Sequence, residues 1–161
     1  MNEDYIRDEL VFHLTRGHAH MSFEEAVHDF PTDKINTKFT NGDYTFWHLL
    51  EHIRRTQADI LEFIVNPDYK DLEWPKDYWP AKNEQANRVQ WAKTIRGFKN
   101  DQEKLVKIIK NKKTDLYAKI PKGTGQTIFR EIFVVTDHNA YHLGEFAIMR
   151  QTLGAWNKGH K

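Results

Sequence analysis

The stretch Thr45-Phe46-Trp47-His48-Leu49-Leu50-Glu51-His52-Ile53-Arg54-Arg55-Thr56-Gln57-Ala58-Asp59-Ile60-Leu61-Glu62-Phe63-Ile64-Val65 decides the fold class. Phe46, Leu49, Leu50, Ile53, Ile60, Leu61 and Ile64 recur at helical spacing and make one apolar stripe. Asn66-Pro67 closes the segment. A helix of this length with one apolar face buries that face by packing against other helices.

Working outward, the same pattern recurs. Residues 3–16 read as a helix on Ile6, Leu10 and Leu14, ended by Gly17. Ser22 with Glu25 forms a capping-box pattern that opens a short helix reaching about Phe30, where Pro31 stops it. Asn41-Gly42 marks a turn before the second long helix, 45–65. Residues 67–82 form an aromatic loop whose two steps, Trp74-Pro75 and Trp79-Pro80, are expected to keep it extended. A third long helix fits 83–111, on Trp91, Ile95, Phe98, Leu105, Val106 and Ile109. A fourth fits 126–153, on Ile128, Ile132, Val135, Phe146, Met149 and Leu153, with Gly154 as its stop. The expectation is an all-α domain spanning 1–161, four long helices with a short extra helix after the first and no strands.

Bulk properties exclude several function classes. The 161 residues carry a formal net charge of +1, too little basic excess for a nucleic-acid binder. The lysines at 104, 107, 110, 112 and 113 cluster at an expected helix C-terminus, where cations complement the helix dipole. No segment approaches the ~20 apolar residues that cross a bilayer, and the acidic start MNEDYIRDEL is unlike a signal peptide. A cytoplasmic protein without membrane association is expected. The absence of cysteine removes disulfides, thiol nucleophiles and thiolate metal ligands.

The chemistry concentrates in Asp137-His138-Asn139-Ala140-Tyr141-His142-Leu143-Gly144-Glu145. His138 and His142 are four apart, so they share a helical face and can grip one ion from one side. They lie on the arc of Val135, Phe146 and Met149, which points inward. A pair of core histidines bonded to neighbours would show the same spacing. The helix at 45–65 offers a third imidazole from His48 or His52. Stepping about 100° per residue from Phe46 puts His52 at about −120°, at the edge of the apolar stripe, and His48 at about −160°, on its back. His52 is therefore the expected ligand, and His48 an expected surface or interface residue. Three imidazoles leave an open coordination position, the pattern of a catalytic rather than a closed structural site. All-nitrogen donors suit a divalent transition metal: zinc or nickel first, with iron and copper as alternatives.

Glu145 follows His142 by three residues and faces the same region, as outer carboxylate, fourth ligand or general base. Asn139 falls on the inward arc and can anchor a water or a backbone group. Trp74, Tyr78 and Trp79, if their loop overhangs the metal, would shape an apolar pocket mouth. His13 faces the inner side of the first helix. His18, His20 and His28 lie in or near the first loop, and His160 in the C-terminal tail.

These two elements resemble the DinB-like (DinB/YfiT) superfamily of metal-binding four-helix proteins. Thr45 to His52 resembles the family's second-helix element, which ends in a ligand histidine. Asp137 to Glu145 resembles its closing element, with two histidines four apart followed by Leu-Gly. The resemblance spans essentially the whole chain. It implies an up-down-down-up bundle, a metal held by His52, His138 and His142, and frequent dimers. Some family members are thiol transferases or a thiol-dependent isomerase, and others are metal-dependent hydrolases. This sequence departs from the pattern at Glu145, where glutamine is usual. The expectation is a metal-dependent hydrolase or thiol transferase acting on a small molecule, with a thiol as candidate cosubstrate and a homodimer as the assembly. The competing expectation is a non-catalytic binding protein whose metal stiffens the helices.

Overall fold

The computed structural model describes residues 3–39 and 42–156. It contains five α-helices: α1 Glu3–Thr15, α2 Phe23–Val27, α3 Phe46–Val65, α4 Arg88–Lys110 and α5 Ile128–Thr152. Among the described residues there is no β-strand. Two isolated bridges, Lys38 with Thr45 and Lys119 with Thr127, pin the chain where α3 and α5 begin. No helix is long and apolar enough to cross a membrane, among the same residues.

Local chemistry sets the helix ends. Thr45 and Thr127 cap α3 and α5 through hydroxyls that accept from the backbone N–H groups of His48 and Arg130. Ser22 and Glu25 form the expected capping box on α2. That helix is only five residues long and ends before Phe30, with Asp29 turning the chain at φ 48°. The third long helix begins at Arg88 rather than 83. Asn87 accepts from the N–H groups of Val89 and Gln90, while the Gln90 side chain accepts from the Asn87 N–H, so a second capping box overrides the earlier start. Gly17 and Gly154, at φ 65° and 59°, turn the chain after α1 and α5.

α3 packs on both α4 and α5, α1 bridges α4 and α5, and α2 lies on α5. The core has two parts. Near α2 it is aromatic: Phe23 stacks on Phe98 at 3.7 Å, and Phe30, Phe46, Trp91 and Phe146 pack around them. At the other end it is aliphatic, with Leu10, Ile60, Leu105, Ile109, Ile132 and Val135. Truncating Phe98 in the aromatic half would cost about 3–5 kcal/mol.

Two buried arginines tie distant segments together through backbone oxygens. Arg7 donates to the carbonyls of Ile109, at the end of α4, and Thr114, just beyond it. Arg150 donates to the carbonyls of Ala26, His28 and Ala155, and its guanidinium carbon sits over the Trp156 ring, 3.7 Å from the centroid. Two cations of the lysine cluster, Lys107 and Lys110, occupy the last turn of α4, as a dipole complement requires.

The loop between α3 and α4 is not extended. Trp74-Pro75 is cis, and the chain turns through 73–79, with Asp77 N–H donating to the Glu73 carbonyl at 2.9 Å. Asp59 on α3 anchors this loop by accepting from the hydroxyls of Tyr69 and Tyr78, at 2.9 and 2.7 Å. Burial, reinforced by the Asp59 charge, raises both phenols and keeps them protonated donors. Arg55 adds a bond to the Trp79 carbonyl at 3.0 Å. As a result, the first two turns of α3, Phe46 to Ile53, are buried on every side: helices cover the stripe and the loop covers the back.

That enclosure corrects the placement of His48. It is 2 % exposed, not a surface residue. Its Nδ1 meets the Thr45 hydroxyl at 2.6 Å and its Nε2 the Ala81 carbonyl at 2.9 Å. The carbonyl can only accept, so the proton sits on Nε2 and Thr45 donates to Nδ1. His13 is exposed, with its ring edge-on to that of His18, and does not reach the core. Asn41, part of the expected turn, and the 157–161 tail with His160 lie outside the described residues; Gly42 N–H does bond the Phe39 carbonyl at 2.8 Å.

Candidate metal centre

α3 and α5 bring three imidazoles together. His52 comes from the second turn of α3, His138 and His142 from the middle of α5, and one donor atom from each lies within 4.8 Å of the others. Among the described residues this group holds three side chains and no carboxylate. The ring centroids are 4.6–5.0 Å apart and all three pairs are steeply inclined, so edges rather than faces converge.

The outer nitrogens reveal which atoms point inward. His52 Nδ1 is 3.1 Å from the Tyr78 carbonyl, an obligate acceptor, so Nδ1 carries the proton and Nε2 presents its lone pair. His142 Nδ1 is 2.8 Å from Glu145 Oε2, which fixes the same tautomer. His138 Nε2 lies 3.1 Å from His52 Nε2. Two nitrogens bound to one zinc at about 2.0–2.1 Å would be about 3.3 Å apart at a tetrahedral angle, so this separation needs little adjustment. His138 Nδ1 and Asn139 Oδ1 are buried with no partner in good geometry. They are complementary: a ligating His138 keeps its proton on Nδ1, and Asn139 supplies an acceptor. The donor set and its outer partners therefore fit a transition-metal ion, and the three histidines could hold one.

All three imidazoles are tuned toward the neutral form that binds metal. Burial, followed by the neighbouring rings, lowers His138 to about 4 and His142 to about 3. The Asn139 carboxamide opposes the fall at His138. His52 is lowered as well, by burial first and then by the Arg55 charge, against the pull of its bond to Tyr78.

Glu145 does not point at the cluster. Its Oε2 accepts from His142 Nδ1, on the side of the ring away from the converging nitrogens, while Oε1 accepts from the Tyr44 hydroxyl. Both oxygens accept, which is the pattern of an ionised carboxylate, although burial raises its pKa. Of the three roles open at the sequence level, this geometry places Glu145 as the outer carboxylate of a carboxylate–histidine pair. Glu131 is occupied by an ion pair with Arg130.

The aromatic loop meets the site differently from expectation. Trp79 lies flat on His52, with centroids 3.9 Å apart and planes inclined 8°. Trp74 is 67 % exposed and approaches His52 edge-on at 6.2 Å. Tyr78 contributes its carbonyl rather than its ring, because its hydroxyl is drawn to Asp59. Asn139 is buried. Its amide donates to Gln57 Oε1 at 3.1 Å, and Gln57 in turn donates to the Phe98 carbonyl, so it belongs to a buried polar chain beneath the site. Sequence reasoning missed Tyr44, whose role depends on a contact 101 positions away and leaves no local signal.

Compared with known proteins, the chain matches no family model, no curated protein and no solved structure.

Proposed function

We propose that this protein is a metal-dependent enzyme acting on a small molecule, a hydrolase or thiol-dependent transferase, with His52, His138 and His142 holding the ion. The observation that carries the reading is the converging three-imidazole set, which has no fourth His or carboxylate donor among the described residues. Three ligands leave room for a reactant, whereas structural zinc sites are closed by four. Zinc and nickel suit the donors best, followed by iron and copper. When bound, the metal would supply Lewis acidity for polarising a substrate or activating water or a thiol.

The chain's own residues have definable tasks in this reading. The Tyr78 carbonyl and Glu145 hold the protons of His52 and His142 on the outer nitrogens. Tyr44 fixes the Glu145 carboxylate by donating to it. Trp79 shields one face of His52 from water. The resemblance of the two histidine elements to DinB-like proteins supports the same reading. With it we propose the up-down-down-up order for α1, α3, α4 and α5, with α2 as an addition, and a homodimer.

The test is a panel of ester, amide and thiol-conjugation substrates assayed with purified protein, chelated protein and chelated protein reloaded with zinc or nickel. Activity should disappear with the chelator and return with the metal. Turnover indifferent to chelation would overturn the mechanism, and a loaded protein whose metal carries a fourth protein ligand in place of an exchangeable water would make the metal structural.

A further inference from the structure

Beside the metal centre, a cavity of about 400 Å³ opens between the start of α3 and the loop before α4. Its size is that of a small-molecule site. Two of its walls, Tyr44 and Trp79, are shared with the metal centre: Tyr44 bonds Glu145, and Trp79 stacks on His52. Pro75, Pro80 and Ala81 supply further apolar surface.

The polar groups on the inner wall are already engaged. His48 lines the cavity, but both its ring nitrogens are bonded, to Thr45 and Ala81. The Tyr44 hydroxyl donates to Glu145. A guest entering here meets few unsatisfied donors, so its inner end must be apolar to avoid uncompensated desolvation. The Tyr44 and Trp79 rings, 5.5 Å apart and tilted by 41°, favour a flat group that can pack against them.

Charge lies at the rim. Two lysines, Lys76 and Lys82, face one acid, Asp43. Lys82 pairs with Asp43 and Lys76 with Glu73, with every partner strongly exposed. Exposed pairs of this kind contribute little, so an anionic group on a guest can displace them.

We propose that this cavity binds the substrate's non-reacting part: a flat, apolar group with an anionic substituent at its outer end, as in an aryl carboxylate or sulfonate. The inference rests on the metal-centre reading for the word substrate, but the binding itself requires only the protein walls.

The experiment uses two fluorescent probes, anilinonaphthalene sulfonate and phenylnaphthylamine, the second with a similar aryl frame and no sulfonate. Both are titrated into the full chain, chelated and metal-loaded. Ala81→Trp fills the cavity with a side chain at an exposed position. It should weaken both probes about tenfold or more, because the aryl group loses its burial, while metal content stays unchanged. The double change Lys76→Glu with Lys82→Glu alters only exposed side chains and keeps the cavity. It should weaken the sulfonate about fivefold or more and leave the neutral probe within about twofold. Wild-type affinity for both probes in Ala81→Trp would overturn the cavity assignment. Equal affinity for the sulfonate in the double variant would overturn the anionic part. Probe binding that survives while no metal binds sinks the metal-centre reading alone, and normal metal binding with probes insensitive to Ala81→Trp sinks only this inference.

Discussion

Glu145 offers the sharpest test of how the histidine cluster is organised. Its carboxylate accepts from His142 Nδ1 at 2.8 Å, in a setting where the His142 and Glu145 side chains are 13 % and 29 % exposed. A hydrogen bond to a charged group contributes about 1.5–3 kcal/mol net, and a neutral one about 0.5–1.5. Partial exposure favours the lower end of each range. Replacing the carboxylate by an amide that still accepts should therefore cost about 1 kcal/mol, or about fivefold in metal affinity. Removing the acceptor in Glu145→Ala should cost about 10–100-fold, as loss of an outer partner typically does. The assay is competition for zinc against a chromophoric chelator at fixed pH, with wild type, Glu145→Gln, Glu145→Ala and His142→Ala side by side. The expected order of affinity is wild type, Gln, Ala, then His142→Ala well below. If Glu145→Ala falls as far as His142→Ala, the carboxylate is a direct ligand; if it binds like wild type, the bond to His142 does nothing for the metal. Either result refutes the assignment.

Two further outcomes follow from buried histidines. His48→Ala should leave metal stoichiometry unchanged but lower unfolding stability by about 1–3 kcal/mol in urea, since it strips partners from the buried Thr45 hydroxyl and the partly buried Ala81 carbonyl; loss of metal without loss of stability would reverse the roles of His48 and His52. In metal-free protein, His138 and His142 titrate at about 4 and about 3 when folded, below the ordinary histidine value. The unfolded chain then binds more protons than the folded one between those values and about 6.5, so stability falls as pH drops through that window and is unaffected by these groups above it. Thermal midpoints of chelated protein should decline from about pH 7.5 to about pH 5, with a shallower decline in the double variant His138→Phe with His142→Phe; identical slopes would contradict the depressed values.

The all-helical class was legible because the stripes of α1, α3, α4 and α5 keep helical spacing over many turns, and α3, α4 and α5 start at side chains that cap. The Asn87–Gln90 box shows that the start of α4 was also written in the chain, inside the segment read as helical from 83. His48 was misplaced for a different reason. Helical phase says which side of α3 meets other helices, but the opposite side is covered by a loop held by Tyr69, Tyr78 and Asp59, and phase carries no information about loops. The histidine pair on α5 was readable from its spacing of four. The direction of Glu145 was not, because a residue three positions after a ligand can face the ion or the back of the ring, and the choice depends on Tyr44 arriving from another part of the chain.

Arg7 and Arg150 make the fold tolerant in a particular way. Across the gap each bonds only to main-chain oxygens, although Arg7 also pairs with Glu3 one turn earlier on its own helix. Every residue type has such an oxygen, so the segments they grip, 109–114 and 26–28, can drift in sequence without loosening the tie, provided their backbone course is kept. The arginines themselves have no such freedom, since a lysine lacks the planar fork that reaches several carbonyls at once. Among diverging copies of this chain, substitutions should therefore accumulate on one side of each tie and be purged on the other. Covariation between the partners would be absent even though they touch.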